Sequence, residues 1–260
     1  MDYFFLYKDQ IPAEVAVGTF TTTHMLVLLF LFGVMVYFIK LFKSKDELKR
    51  NRFFLVVAFL IPVLEIIRII WVMTLNRADL IPVALLPLHL CGIMTVFIPW
   101  AVISRKPILI EIVYIVGIAG AGMALMTPDV AMYPLFHIQY IQSMIIHALI
   151  FFSGLFFIIV EGHRPTIKQA PKVLFFLLLL ALFITPINLL LQHQDANFFF
   201  LMYGIEGTIL HTIDQNTSHF GYLVVFSILV LIFLVVMYIP WEISKVIKYK
   251  TEISKPIKEV

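Results

Sequence analysis

Charge is scarce in this chain. Of its 260 residues only 13% are Asp, Glu, Lys or Arg, while 62% are hydrophobic. A soluble domain carries about a quarter charged residues and about half apolar ones. The excess apolar side chains cannot all be hidden in one globular core, so they must face lipid. Cysteine is nearly absent. Cys91 stands alone, which excludes an intramolecular disulfide and a thiolate-only metal site. Glycine, at 11 copies, is too sparse for flexible linkers, and no repeat or low-complexity run is present. No basic n-region follows Met1, so no cleaved signal peptide is expected. A net charge of +3 is too small to point to nucleic acid. What the chain has in abundance is phenylalanine, at 25 copies.

Crossing a bilayer core of ~30 Å takes ~20 apolar residues at 1.5 Å each. Seven stretches qualify, at about 18–39, 53–75, 81–103, 108–127, 138–160, 173–192 and 220–240. In lipid the backbone must satisfy itself, so each is read as a helix. The expected fold is therefore all-α, a single seven-helix transmembrane domain over residues 1–260. Of the 19 Lys and Arg, 16 fall in the first, third and fifth connections and the tail, among them Lys40, Arg52, Arg105, Arg164 and Lys255. The positive-inside rule places these in the cytoplasm, with the N-terminus outside, and a cell membrane is the expected location. The opposite side is acidic, with Asp2, Asp9, Glu14, Asp79, Asp129, Asp195, Glu206 and Asp214. The outer connection 193–219 contains Phe198-Phe199-Phe200-Leu201-Met202-Tyr203, too apolar for a plain loop and too short to span, and is read as an interfacial or re-entrant helix. Gly117, Gly120, Ala121 and Ala124 form small-xxx-small pairs that permit close helix packing.

Ionisable groups at membrane depth are costly and are default functional candidates. Here they are His24, Glu65, Arg68, His89, Glu111 and His147, joined by the thiol of Cys91. Counting residues from the span edges puts Cys91, His147 and Glu65 each roughly 14–15 Å below the outer surface. One layer then holds a thiol, an imidazole and a carboxylate, the parts of a nucleophile, base and orienter set. Thr95 shares a face with Cys91. Tyr140 shares a stripe with His137, Met144 and His147. Glu65 and Arg68 are i, i+3 neighbours able to pair. Each has a plainer alternative: a cysteine as a small core residue, histidines as helix-to-helix hydrogen bonds, Glu65 and Arg68 as a structural ion pair. His193, His211 and His219 with Asp195 and Asp214 could hold a metal, but no His-xxx-His pair supports it, and no metal is expected.

Several runs carry a resemblance. Leu86-Pro87-Leu88-His89-Leu90-Cys91-Gly92, then Gly117-Ile118-Ala119-Gly120-Ala121 with Leu125-Met126-Thr127-Pro128-Asp129, then His147-Ala148-Leu149, Gly162-His163-Arg164-Pro165-Thr166, and Asn188-Leu189-Leu190-Leu191 leading to Asn197-Phe198 follow one another in the order and spacing of the bacterial YwaF-like integral membrane proteins. The resemblance covers about residues 50–202. That group is similar to the eukaryotic transmembrane-protein-164-type acyltransferases and, more remotely, to the androgen-induced fatty-ester hydrolases. It implies lipid acyl-ester chemistry with Cys91 as acyl acceptor and His147 as base.

The expected function is thus a thiol-dependent lipid acyltransferase or acyl-ester hydrolase acting on outer-leaflet phospholipid, with catalytic residues Cys91, His147 and His89. Glu65, Arg68, Thr95, Tyr140, Asn188 and Asn197 are expected to bind substrate or support the site. No cofactor is implied, and membrane phospholipid is the partner. The oxyanion donors would come from His89, Arg68 or Thr95. The alternative is a transporter or ligand sensor built on Glu65, Arg68, His89 and His147. A third reading is a metal-dependent lipid hydrolase using the outer histidines.

Overall fold

A computed structural model describes residues 3–205 and 208–253, with side chains to residue 247. Asp2, Glu206, Lys255 and Lys258, and the side chains of Lys248 and Lys250, lie outside the described residues. Every regular element among the described residues is helical. Six helical stretches are long and apolar enough to cross a membrane: Thr22–Lys43, Glu47–Thr74, Pro107–Met132, Ile138–Ile159, Ile167–Leu190 and His219–Ile247. The chain is a multi-pass α-helical membrane protein.

In order the helices are α1 (Thr22–Lys43), α2 (Glu47–Thr74), α3 (Leu90–Ser104), α4 (Pro107–Ile112), α5 (Ile118–Met126), α6 (Ile138–Ile159), α7 (Ala170–Leu190), α8 (Ile209–Asn216) and α9 (His219–Ile253). A π-helical turn, Val113–Gly117, joins α4 to α5 into one span. Local chemistry sets the ends. Thr21 caps α1 by accepting from the His24 amide, and Asp46 caps α2 by accepting from the Lys49 amide at 2.9 Å. Pro107 opens α4 at a position that needs no amide hydrogen. Pro62, Pro99, Pro186 and Pro240 lie inside helices.

The third of the seven expected spans departs from expectation and is not among the six. A full helix over 81–103 was expected, and the helix covers only Leu90–Ser104, about 22 Å long. Residues 81–85 form turns and 86–89 are irregular, with the Leu85 amide donating to the Pro82 carbonyl at 2.9 Å. Pro82 and Pro87 explain this, since each removes a backbone donor. The chain also returns close upon itself: a Cβ on Gly92 would lie 2.5 Å from the Pro87 carbonyl oxygen. The Phe198 run differs too. Phe198–Phe200 is a 3₁₀ turn with Phe199 and Phe200 in the left-handed region, and the amphipathic helix of that connection comes later, at α8.

The chain divides into two compact units. The first holds residues 1–163 and 189–199, hence α1 to α6. Phenylalanine fills its basic end: Phe42 stacks on Phe53 at 3.8 Å, and Phe54 packs on Phe156 at 4.4 Å and Phe157 at 4.7 Å. Arg105 lies over Phe54 and Phe157 while pairing with Glu161 at 2.9 Å and donating to Asn51. At the opposite, acidic end Trp71, Tyr133, Tyr140 and Met144 form a second core with Leu125 and Val130. The second unit holds residues 164–188 and 200–260. There Tyr222 donates to the Phe200 carbonyl at 2.6 Å, and Glu242 binds Lys245 and the Ile167 amide.

Candidate functional site

Cys91 sits in the first turn of α3 and is half-buried. Across from it stands Gly120 of α5, where an added Cβ would be 3.8 Å from the Cys91 Sγ. The small residues of α5 therefore do more than let helices approach: one of them faces the thiol. The residue before α3 is His89, in the N-cap position, and its side chain makes no capping bond. The first amides of a helix have no partner within it. Ile93 donates back to the His89 carbonyl at 3.0 Å, while the amides of Leu90, Cys91 and Gly92 bond to nothing among the described residues. His89 is exposed, with its ring edge-on to Phe198 at 5.0 Å.

His147 lies on α6, half-buried. Its Nδ1 is 2.7 Å from the Ser143 carbonyl oxygen and 3.3 Å from the Ser143 hydroxyl. A carbonyl only accepts, so Nδ1 carries the hydrogen and Nε2 keeps its lone pair. Ser143 thus fixes the tautomer that a base requires. The charge of Asp129 acts on Cys91, His89 and His147, and that of Glu65 acts on both imidazoles, so the three groups share one electrostatic neighbourhood. α3 packs against both α5 and α6.

The supporting residues divide. Glu65 and Arg68 form a nearly closed pair, bonded at 2.7 Å, with 12% and 17% of their side chains exposed. Arg68 also donates to the Ala84 carbonyl at 2.6 Å, which holds the turns before α3. Thr95 is buried and donates to the Gly92 carbonyl at 2.6 Å. The Thr95 hydroxyl hydrogen is spent on that carbonyl, whereas the Arg68 guanidinium has more N–H donors than these bonds use. Tyr140 joins the core with Trp71 and Tyr133, its hydroxyl buried without a partner. Asn197 is half-buried beside Phe198, and Asn188 is buried in the second unit. No three His, Cys, Asp or Glu side chains among the described residues come together to hold a metal ion, so the outer histidines form no such centre there.

The model of one protein family, TMEM164, matches residues 19–238, spanning from the approach to α1 into α9. The chain belongs to the TMEM164 family. No curated protein and no solved structure matches it. In this TMEM164-family chain the sequence missed four contributors: the open amides of Leu90 to Gly92, Ser143, Gly120 and Asp129. Pro82 and Pro87 were the signal for the first. The i−4 position of Ser143 was the signal for the second.

Proposed function

We propose that this TMEM164-family protein transfers or hydrolyses lipid acyl esters through Cys91. The feature that supports the reading is a thiol lying, at the start of one short helix, beside three backbone donors with no partner among the described residues, together with an imidazole in the same electrostatic neighbourhood whose tautomer is set for accepting a proton. In the reaction Nε2 of His147 removes the thiol proton as Sγ attacks the ester carbonyl carbon. The carbonyl oxygen becomes an oxyanion, held by the amides of Leu90, Cys91 and Gly92. The carbon–oxygen ester bond breaks, and the departing lysolipid oxygen takes the proton from His147. A thioester remains on Cys91. A second lysolipid hydroxyl, or water, then attacks it and restores the thiol. Membrane phospholipid is the acyl donor, reached from the leaflet nearer the acidic end, which the charge rule places outside.

Intact mass of the purified protein after incubation with phospholipid tests this. An added acyl mass, removed by hydroxylamine and absent in Cys91→Ala, is the expected result. His147→Ala is expected to slow its formation by about 10²–10⁴. Unmodified protein and unchanged phospholipid in all samples would overturn the reading.

A further inference from the structure

Residues 3–18 do not hang free from the first unit. Three successive carbonyls of this strap are each held by a different donor of the bundle. The Ile138 amide donates to Phe4 at 3.1 Å, the Trp71 indole to Phe5 at 3.0 Å and the His137 Nε2 to Leu6 at 2.8 Å. Further along, the amides of Val17 and Gly18 donate to the carbonyls of Tyr133 and Ala131 at 3.0 and 2.9 Å. A shallow crevice lined by Phe5, Ile67, Ile70, Trp71 and Ile138 lies beside the strap.

Two fully buried histidines are wired alike, and one of them, His137, pins the strap directly. In His137 the Nδ1 accepts from the Gln139 amide at 3.1 Å while Nε2 donates to Leu6. In His24 the Nδ1 accepts from the Phe20 amide at 3.0 Å while Nε2 donates to the Leu125 carbonyl at 2.9 Å. The His137 ring is held neutral by this wiring, because one nitrogen must accept and the other must donate. A proton on Nδ1 turns that acceptor into a donor facing an amide N–H. It also leaves that amide unsatisfied in a buried place.

From this geometry we infer that protonation of His137 releases the N-terminal strap, making it an acid-sensitive latch over the end of the bundle. The groups facing His137 do not oppose this. Tyr133 stacks on it at 4.0 Å and Trp71 stands edge-on at 5.7 Å. Of the charges on that surface, Arg77 engages Asp9 at 2.6 Å and Asp79 at 2.7 Å, and Lys8 lies over Tyr7. Asp129 acts on Tyr133. His24 faces Phe20 and forms no ion pair among the described residues.

Hydrogen exchange of the full chain in lipid nanodiscs, read by mass spectrometry and corrected for the intrinsic pH dependence of exchange, tests the latch. Between pH 7.5 and 5.0 the wild type is expected to lose at least tenfold protection in peptides covering residues 3–17, with a midpoint between about 5 and 6.5, the histidine range. In His137→Gln that pH dependence disappears. Protection unchanged in the wild type overturns the proposal. So does a midpoint below about 4.5, which belongs to carboxylates, or a pH dependence that survives in the variant. The wild-type midpoint decides the matter even where the variant does not fold.

Discussion

Two helices of the first unit begin on a histidine, and they use it in opposite ways. His137 closes α6: its ring accepts one first-turn amide, the strap carbonyl of Phe4 accepts another, and the side chain is fully buried. His89 stands at the same position before α3 and leaves the first turn open. The contrast separates stability from capacity to bind. A capped terminus satisfies its orphan donors and holds the fold. An open one at membrane depth keeps donors that only a ligand or water can satisfy, and here a thiol lies among them.

The comparison can be broken from either side. The largest effect is expected from His89→Ser set against His89→Ala. Both lose the imidazole, but only serine can cap. Filling the amides should lower acyl transfer by about 10²–10³ relative to the alanine variant, the scale of losing an oxyanion donor. It should also raise the unfolding free energy by about 1 kcal/mol. Equal turnover and equal melting in the two variants would show that the amides are idle. Next comes Gly92→Ala, whose Cβ would meet the Pro87 carbonyl oxygen at 2.5 Å and cost about 1–3 kcal/mol in detergent-based unfolding. Gly33→Ala, on α1 with nothing within 4 Å, is the control and should stabilise by about 0.5–1 kcal/mol. His137→Ala should cost about 1–2 kcal/mol through the lost cap, a loss His89→Ala does not share because the His89 side chain makes no capping bond. The smallest effect is the pH dependence of melting. Burial holds His137 below the ordinary histidine range. The neutral ring's contribution is then complete above about pH 6.5, the unfolded value, and is lost as pH falls through the lower folded value. Melting scans of wild type and His137→Gln from pH 8 to 5 should diverge only at the acid end.

Hydropathy marked the spans well because it reports what lipid demands of side chains. α6 was expected over 138–160 and runs over Ile138–Ile159; α7 was expected over 173–192 and runs over Ala170–Leu190. Where a span breaks, composition stays silent. Ile81-Pro82-Val83-Ala84-Leu85-Leu86-Pro87 is as apolar as any helix, yet its backbone turns, and only the two prolines say so. The pairing of Glu65 with Arg68 was legible from i, i+3 spacing. The hydrogen on His147 was not, since it depends on which ring nitrogen meets the Ser143 carbonyl. Residue types named the groups. Their remaining hydrogen-bond capacity, which decides what chemistry is open to them, belongs to the fold.

The π-helical turn at Val113–Gly117 carries a last consequence. Such a turn accommodates one residue more than an α-helical path of the same pitch, and each residue rotates a helix by about 100°. Everything beyond it on α5, including the Gly120 that faces the Cys91 sulfur, takes its azimuth from that extra residue. A single-codon deletion among positions 113–117 would leave the span's length and hydropathy almost untouched while swinging Gly120 off the thiol and a bulkier neighbour onto it. The turn therefore acts as an indexing step, through which one residue gained or lost can re-cut the site without redesigning the membrane fold.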